Sequence, residues 1–294
     1  MPAVPPITMP MPDAYAPAEV AERVRDIGVK KAMAPASTLF ALAALAGAFI
    51  ALGALFFTVT VTTGPGQSSP FGLTRFVGGV AFSLGLILVV VGGAELFTGN
   101  NLMAMAWAAG RITGPQVWRN WGIVYAGNLV GAVGTAVLVW LAGVQTFGDG
   151  AVGETMIKIA RSKMALDPVS ALARGILCNV LVCLAVWLCM AARSVADKIL
   201  AIVFPISAFV ACGFEHSVAN MFVLPLGMLL TASGSDPIGP GGALLNLGVV
   251  TIGNIIGGTC LVAFVYWFVY LRQSRPHDVP LSGQGEGGKA DRTE

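Results

Sequence analysis

The sequence predicts an all-α membrane protein, with six transmembrane helices in an inverted 3+3 repeat and helices two and five broken. Three observations predict it. First, the hydrophobic fraction is 56%, the charged fraction only 11% and the mean hydropathy +0.79, whereas a soluble domain averages about 25% charged residues. Second, six apolar stretches each reach the roughly 20 residues that cross a bilayer. Third, two of those stretches are overlong and carry polar interruptions at matching places.

The spans fall at about residues 37–62, 76–108, 122–142, 169–191, 199–230 and 243–270. Backbone cannot go unsatisfied in hydrocarbon, so interruptions in the second and fifth survive only inside protein or beside water. The chain thus divides into a cytoplasmic N-terminal segment (1–35), a transmembrane domain (36–272) and a polar, Gly-rich, disordered cytoplasmic tail (273–294). Residues 18–32 read as an amphipathic helix with Val20, Val24 and Ile27 on one face. It either lies on the membrane or packs under the bundle. Residues 1–35 hold no apolar core of the secretory type, so the first span is expected to act as the insertion signal.

Basic residues set the orientation. Of 17 Lys and Arg, twelve flank the ends that share a side with the termini, among them Lys30, Lys31, Arg119 and Arg193. The other side has five: Arg75, Lys158, Arg161, Lys163 and Arg174. Both termini are therefore expected in the cytoplasm. A net charge of +2 implies no nucleic-acid partner. Five cysteines (178, 183, 189, 212 and 260) lie in apolar stretches without a CxxC pair, and are expected to be small buried residues. No metal or cofactor is expected.

A sparse repeat links the halves. Gly93, Glu95 and Asn100 in GAELFTGN match Gly213, Glu215 and Asn220 in GFEHSVAN. Gly127, Asn128 and Gly131 likewise match Gly253, Asn254 and Gly257. Three spans per half is odd, so the second half must insert upside down, and inverted repeats with broken helices point to a site near the midplane.

Glu95 and Glu215 are the two acids inside the spans, one at each break. A charge at the bilayer centre costs about 3 kcal/mol or more. Each carboxylate is expected to offset this by accepting hydrogen bonds from backbone N–H groups freed at its break. His216 is the one histidine in a span, and imidazole titrates near neutrality. Free N–H groups and positive dipole ends at the breaks favour anions. Thr98, Asn100, Ser217 and Asn220 would add polar donors among apolar walls. One His, two separated acids and scattered Cys supply neither a nucleophile–base pair nor a metal cluster, which disfavours an intramembrane enzyme.

The motifs GAELFTGNNLM, RGILCNVLVCLAVW, FVACGFEHSVANMF and TIGNIIGG, with the span order, resemble the formate–nitrite transporter family over roughly residues 35–272. The resemblance implies an aquaporin-like arrangement and a homopentamer with one pore per protomer, in a bacterial-type inner membrane. It places the central histidine at His216, the gate residue at Thr98 and a pore asparagine at Asn179. Phe82 and Phe209 match an outer constriction, and Leu86, Leu96 and Phe97 an inner one. The family's lysine matches Lys163, with Lys158 as the alternative. The expected cargo is a small anion, formate first and nitrite or hydrosulfide as alternatives, moving with a proton through His216. Glu215 and Asn100 join the pathway, while Glu95 and Asn220 hold the breaks.

Overall fold

The computed structural model describes residues 13–64 and 66–272, and among these all regular structure is helical. The expected tail (273–294) lies outside the described residues. The helices are α1 Pro17–Met33, α2 Ala36–Val61, α3 Phe71–Gly92, α4 Phe97–Asn100, α5 Ala104–Ala108, α6 Gly114–Leu141, α7 Ala151–Met164, α8 Pro168–Ala191, α9 Val195–Ala211, α10 Ser217–Thr231, α11 Pro240–Ile255 and α12 Phe264–Tyr266. A 3₁₀ turn at Asn101–Met103 joins α4 to α5, and π-helical turns at Ile256–Ala263 and Trp267–Leu271 flank α12.

Local chemistry sets the helix ends. Asp167 caps α8 by accepting from the Val169 and Ser170 N–H groups, with Pro168 in the first turn. Ser194 and Asp197 form a capping box at α9. The third span begins at Gly114, earlier than expected, with the Gln116 side chain accepting from Thr113 N–H. Arg119 reads as lying between spans in the sequence, yet it sits on the helix where it extends beyond its apolar stretch. The second span likewise starts at Phe71 rather than 76.

Among the described residues, five helical stretches are long and apolar enough to cross a membrane, at Ala36–Val61, Phe71–Gly92, Gly114–Leu141, Pro168–Ala191 and Pro240–Leu271. The expected fifth span is divided between α9, of 17 residues, and α10, of 15. At about 1.5 Å per residue each is shorter than a hydrocarbon core of roughly 30 Å.

In lipid, helix association rests on close packing rather than on the hydrophobic effect. The repeat glycines show this. A Cβ on Gly131 would lie 1.8 Å from the Ala44 carbonyl oxygen, and one on Gly257 2.2 Å from that of Ile176. These contacts clamp α6 to α2 and the π-helical turn to α8. Along α1, Val20, Ala21, Val24, Gly28 and Ala32 are buried, and Gly28 fits against Ala106 and Met103. The segment therefore packs under the bundle. Cys178, Cys183 and Cys189 are buried as expected, but Cys212 and Cys260 are exposed, Cys212 at the end of α9 and Cys260 on an outward helix face.

Candidate functional site

Each break opens with a left-handed glycine. Gly93 follows α3 at φ 80° and Gly213 follows α9 at φ 71°, a conformation glycine adopts without penalty. The carbonyls of Val89 and Phe209 accept from Ala94 and Phe214 N–H, closing both helix ends. Each chain then runs extended to its acid. Glu95 N–H donates to the Leu42 carbonyl and Glu215 N–H to that of Arg174.

The next helix starts on an asparagine from another span. Asn128 Oδ1 accepts from Phe97 N–H at 2.9 Å, and Asn254 Oδ1 from Ser217 N–H at 2.9 Å. Their amide groups donate to the carbonyls of Ala43 and Glu95 in one half and of Gly175 and Glu215 in the other. One asparagine at each break thus satisfies the N–H that starts the next helix and the carbonyl of the acid. The carboxylates do not, contrary to expectation.

The carboxylates instead meet lysines. Lys31 Nζ lies 2.9 Å from Glu95 and 2.7 Å from Asn100 Oδ1, while Lys163 Nζ lies 3.0 and 3.1 Å from the two oxygens of Glu215. Asn100 and Asn220 each donate to their acid, at 2.7 and 2.8 Å, and onward to Asn120 and Asn246. Those two asparagines return to the Lys31 and Lys163 carbonyls. The amide groups of Asn100 and Asn220 are therefore committed to the ion pairs and are not spare donors for a passing anion. Lys163 occupies the position by the break, and Lys158 is exposed on α7.

His216 is buried at the start of α10. Its Nδ1 accepts from Ala219 N–H at 3.1 Å, which leaves the proton of the neutral ring on Nε2. Nε2 lies 3.0 Å from Thr98 Oγ1. The ring also stacks on Phe209, whose own ring meets Phe82 edge-on at 5.4 Å.

Three cavities lie in sequence around these groups. One of about 210 Å³ is lined by Lys31, Glu95, Asn100, Leu86 and Leu96. One of about 190 Å³ is lined by Lys163, Glu215, Phe82, Phe209 and His216. Between them sits a gap of about 10 Å³, walled by Phe82, Leu86, Leu96, Phe209 and His216. A gap of that size holds at most a single water, so the histidine stands where two roomy vestibules are nearly closed off from each other.

Not every expected residue lines this route. Phe97 turns to Trp121 and Tyr125, with ring centroids 6.1 and 5.0 Å away, and backs the constriction from behind. The Asn179 amide lies 2.7 Å from Asn101 Oδ1 and the Asn254 carbonyl, and 3.3 Å from the Thr98 carbonyl. It ties the gate segment to α11. Three partners escaped the sequence reading: Lys31, Asn120 and Asn246. The offset linking Glu95 to Glu215 holds no clue to Lys31, because Lys31 and Lys163 are 132 residues apart, not 120.

The family model described as "Formate/nitrite transporter" matches residues 18–268. The chain is 44% identical over 280 residues to the "Formate channel FocA" of Escherichia coli strain K12, covering 90% of this chain and 98% of that relative. It is 40% identical over 268 residues to the protein of the same name from Haemophilus influenzae, covering 85% and 93%. It is also similar to the solved structure "Pentameric formate channel with formate bound", with TM-score 0.74, 38% identity and coverage of 81% and 98%.

Proposed function

We propose, from the premise that this chain belongs to the formate/nitrite transporter family, that it is a membrane channel passing formate through the constriction at His216. The observation that carries this reading is the order of groups along the route: ion pair, vestibule, apolar gap with one imidazole, vestibule, ion pair. The protein is an integral, multi-pass membrane protein. We further assign it an aquaporin-like inverted 3+3 arrangement, supported by the matched hydrogen bonds at the two breaks. We also assign both termini to the cytoplasm and one pore to each protomer of a homopentamer.

The mechanism follows from electrostatics. Lys163, paired with Glu215 at the floor of its vestibule, offsets the repulsion that this carboxylate would exert on an entering anion. Desolvation between Phe82 and Phe209 disfavours charge and raises the proton affinity of a carboxylate. His216 offers its Nε2–H at that point, shared with Thr98, and regains a proton from the water of the Lys163 vestibule, so that the acid carries one proton across and gives it to water on release. A protonated acid then passes Leu86 and Leu96 at far lower cost than its anion. The gap is too tight for formate as it stands, so passage requires the Leu96–Thr98 segment to shift. Release beside Lys31 restores the charge.

The test is flux in proteoliposomes with formate, nitrite and hydrosulfide at two pH values. Formate flux should be largest and carry protons, and His216→Asn should abolish the proton movement. Undiminished proton coupling in that variant, or transport of nitrite or hydrosulfide in preference to formate, would refute the assignment.

A further inference from the structure

The two vestibules differ in charge. The Lys31 vestibule is lined by one lysine and one glutamate, which cancel. The Lys163 vestibule has the corresponding pair and, in addition, Arg75 and Arg174. These arginines come from α3 and α8 and converge on the end of α9. Arg75 Nε donates to the Ala211 carbonyl at 2.9 Å, and Arg174 Nη1 to the Gly213 carbonyl at 3.3 Å. The point where Gly213 would carry a Cβ lies 2.8 Å from Arg75 Nη2 and 3.7 Å from Arg174 Nη1. A side chain there would push the guanidinium groups apart. No carboxylate pairs with either arginine among the described residues. Each guanidinium offers five N–H donors, and one on each is used within the described chain.

Two close, unneutralised guanidinium groups in a cleft with apolar walls focus a positive potential. We propose that Arg75 and Arg174 form an anion-collecting station for small carboxylates and oxyanions, one step outward of Lys163 and absent from the opposite mouth. It rests on the anion-channel reading and adds a sidedness to it. The station concentrates substrate at the Lys163 face, so that face saturates at a lower concentration. Because it binds without touching the constriction, it changes half-saturation and leaves the maximal rate alone.

The test uses membrane vesicles of both orientations containing the full chain, with radiolabelled formate as the probe. In the unaltered protein, raising NaCl from low to high on the Lys163 face should raise the half-saturating formate concentration several-fold, since salt screens such a field over about 8 Å at physiological strength. The same change on the Lys31 face should alter it less than about twofold. Arg75→Gln with Arg174→Gln should raise half-saturation at the Lys163 face roughly five- to tenfold and flatten its salt dependence, with the saturating rate kept. Arg75→Lys with Arg174→Lys should preserve the salt dependence. If the double glutamine variant does not reach the membrane, Arg174→Gln alone, at an exposed side chain, should give a smaller shift in the same direction. Equal salt sensitivity on both faces overturns the station. So does a double lysine variant as impaired as the double glutamine one, which would leave the arginines only as caps on α9. Absence of any saturable formate flux in the unaltered protein would instead bring down the channel reading beneath it.

Discussion

Single side chains carry the cost of breaking a helix in the membrane. Asn254 accepts from one N–H and donates to two carbonyls, and Asn128 does the same in the other half. Removing the amide leaves the N–H that starts the next helix and the carbonyl of the acid unpaired, at about 1–3 kcal/mol each, and takes a second donor from a mid-helix carbonyl. Asn254→Ala should therefore destabilise the protein by several kcal/mol, read as a large fall in the thermal midpoint in detergent. The ion pairs follow a related logic. The Lys163 and Glu215 side chains are 15% and 5% exposed, so neither can shed its charge into water if its partner goes. Lys163→Met should cost on the order of 3–5 kcal/mol. Lys163→Met with Glu215→Gln should recover much of that loss in the same melting experiment. A double variant no more stable than the single one would show that the pair is not the source of the penalty.

At the scale of the element, α9 and α10 are each too short to span alone and are joined through a turn at a glycine. Gly213 meets two requirements together, a positive φ and room beside Arg75. Gly213→Val should fail on both, giving little folded protein by size-exclusion chromatography, while Ser217→Ala should be tolerated because its hydroxyl has no protein partner among the described residues. The clamp between the π-helical turn and α8 depends on absent side chains. Gly257→Leu should separate Gly257 from Ile176 and remove the folded species. Gly134, whose Cβ would meet nothing within 4 Å, should accept alanine without loss of the thermal midpoint. The N-terminal helix α1 is also an element of the site, since it brings Lys31 to Glu95 from 64 residues away.

For the whole molecule, the outer surface remains strongly apolar, with Phe204 67%, Leu244 71% and Leu245 61% exposed. Lipid and neighbouring protomers are the surroundings that such a surface needs. The proposed pentamer should appear as five copies of the 30.3 kDa chain by native mass spectrometry, and a lower stoichiometry throughout would contradict it. Reporter tags at the two ends should be digested from the same side of the membrane.

The all-helical, multi-pass membrane character, the two breaks and the residues at them are legible in the order of amino acids alone. Hydrophobic length, a Gly-x-Glu pattern repeated at a fixed offset and a lone intramembrane histidine are local signals that survive in one dimension. Which groups satisfy the breaks emerges from the packed helices. The lysine for Glu95 comes from α1 and the amide for Ser217 from α11, distances along the chain that no spacing rule encodes. The tertiary structure also decided that Phe97 faces Trp121 and Tyr125 rather than the route, and that Arg75 and Arg174 share one mouth. Partner choice among buried polar groups is set by where helices cross, and crossing geometry follows from the shapes of all the packed side chains together.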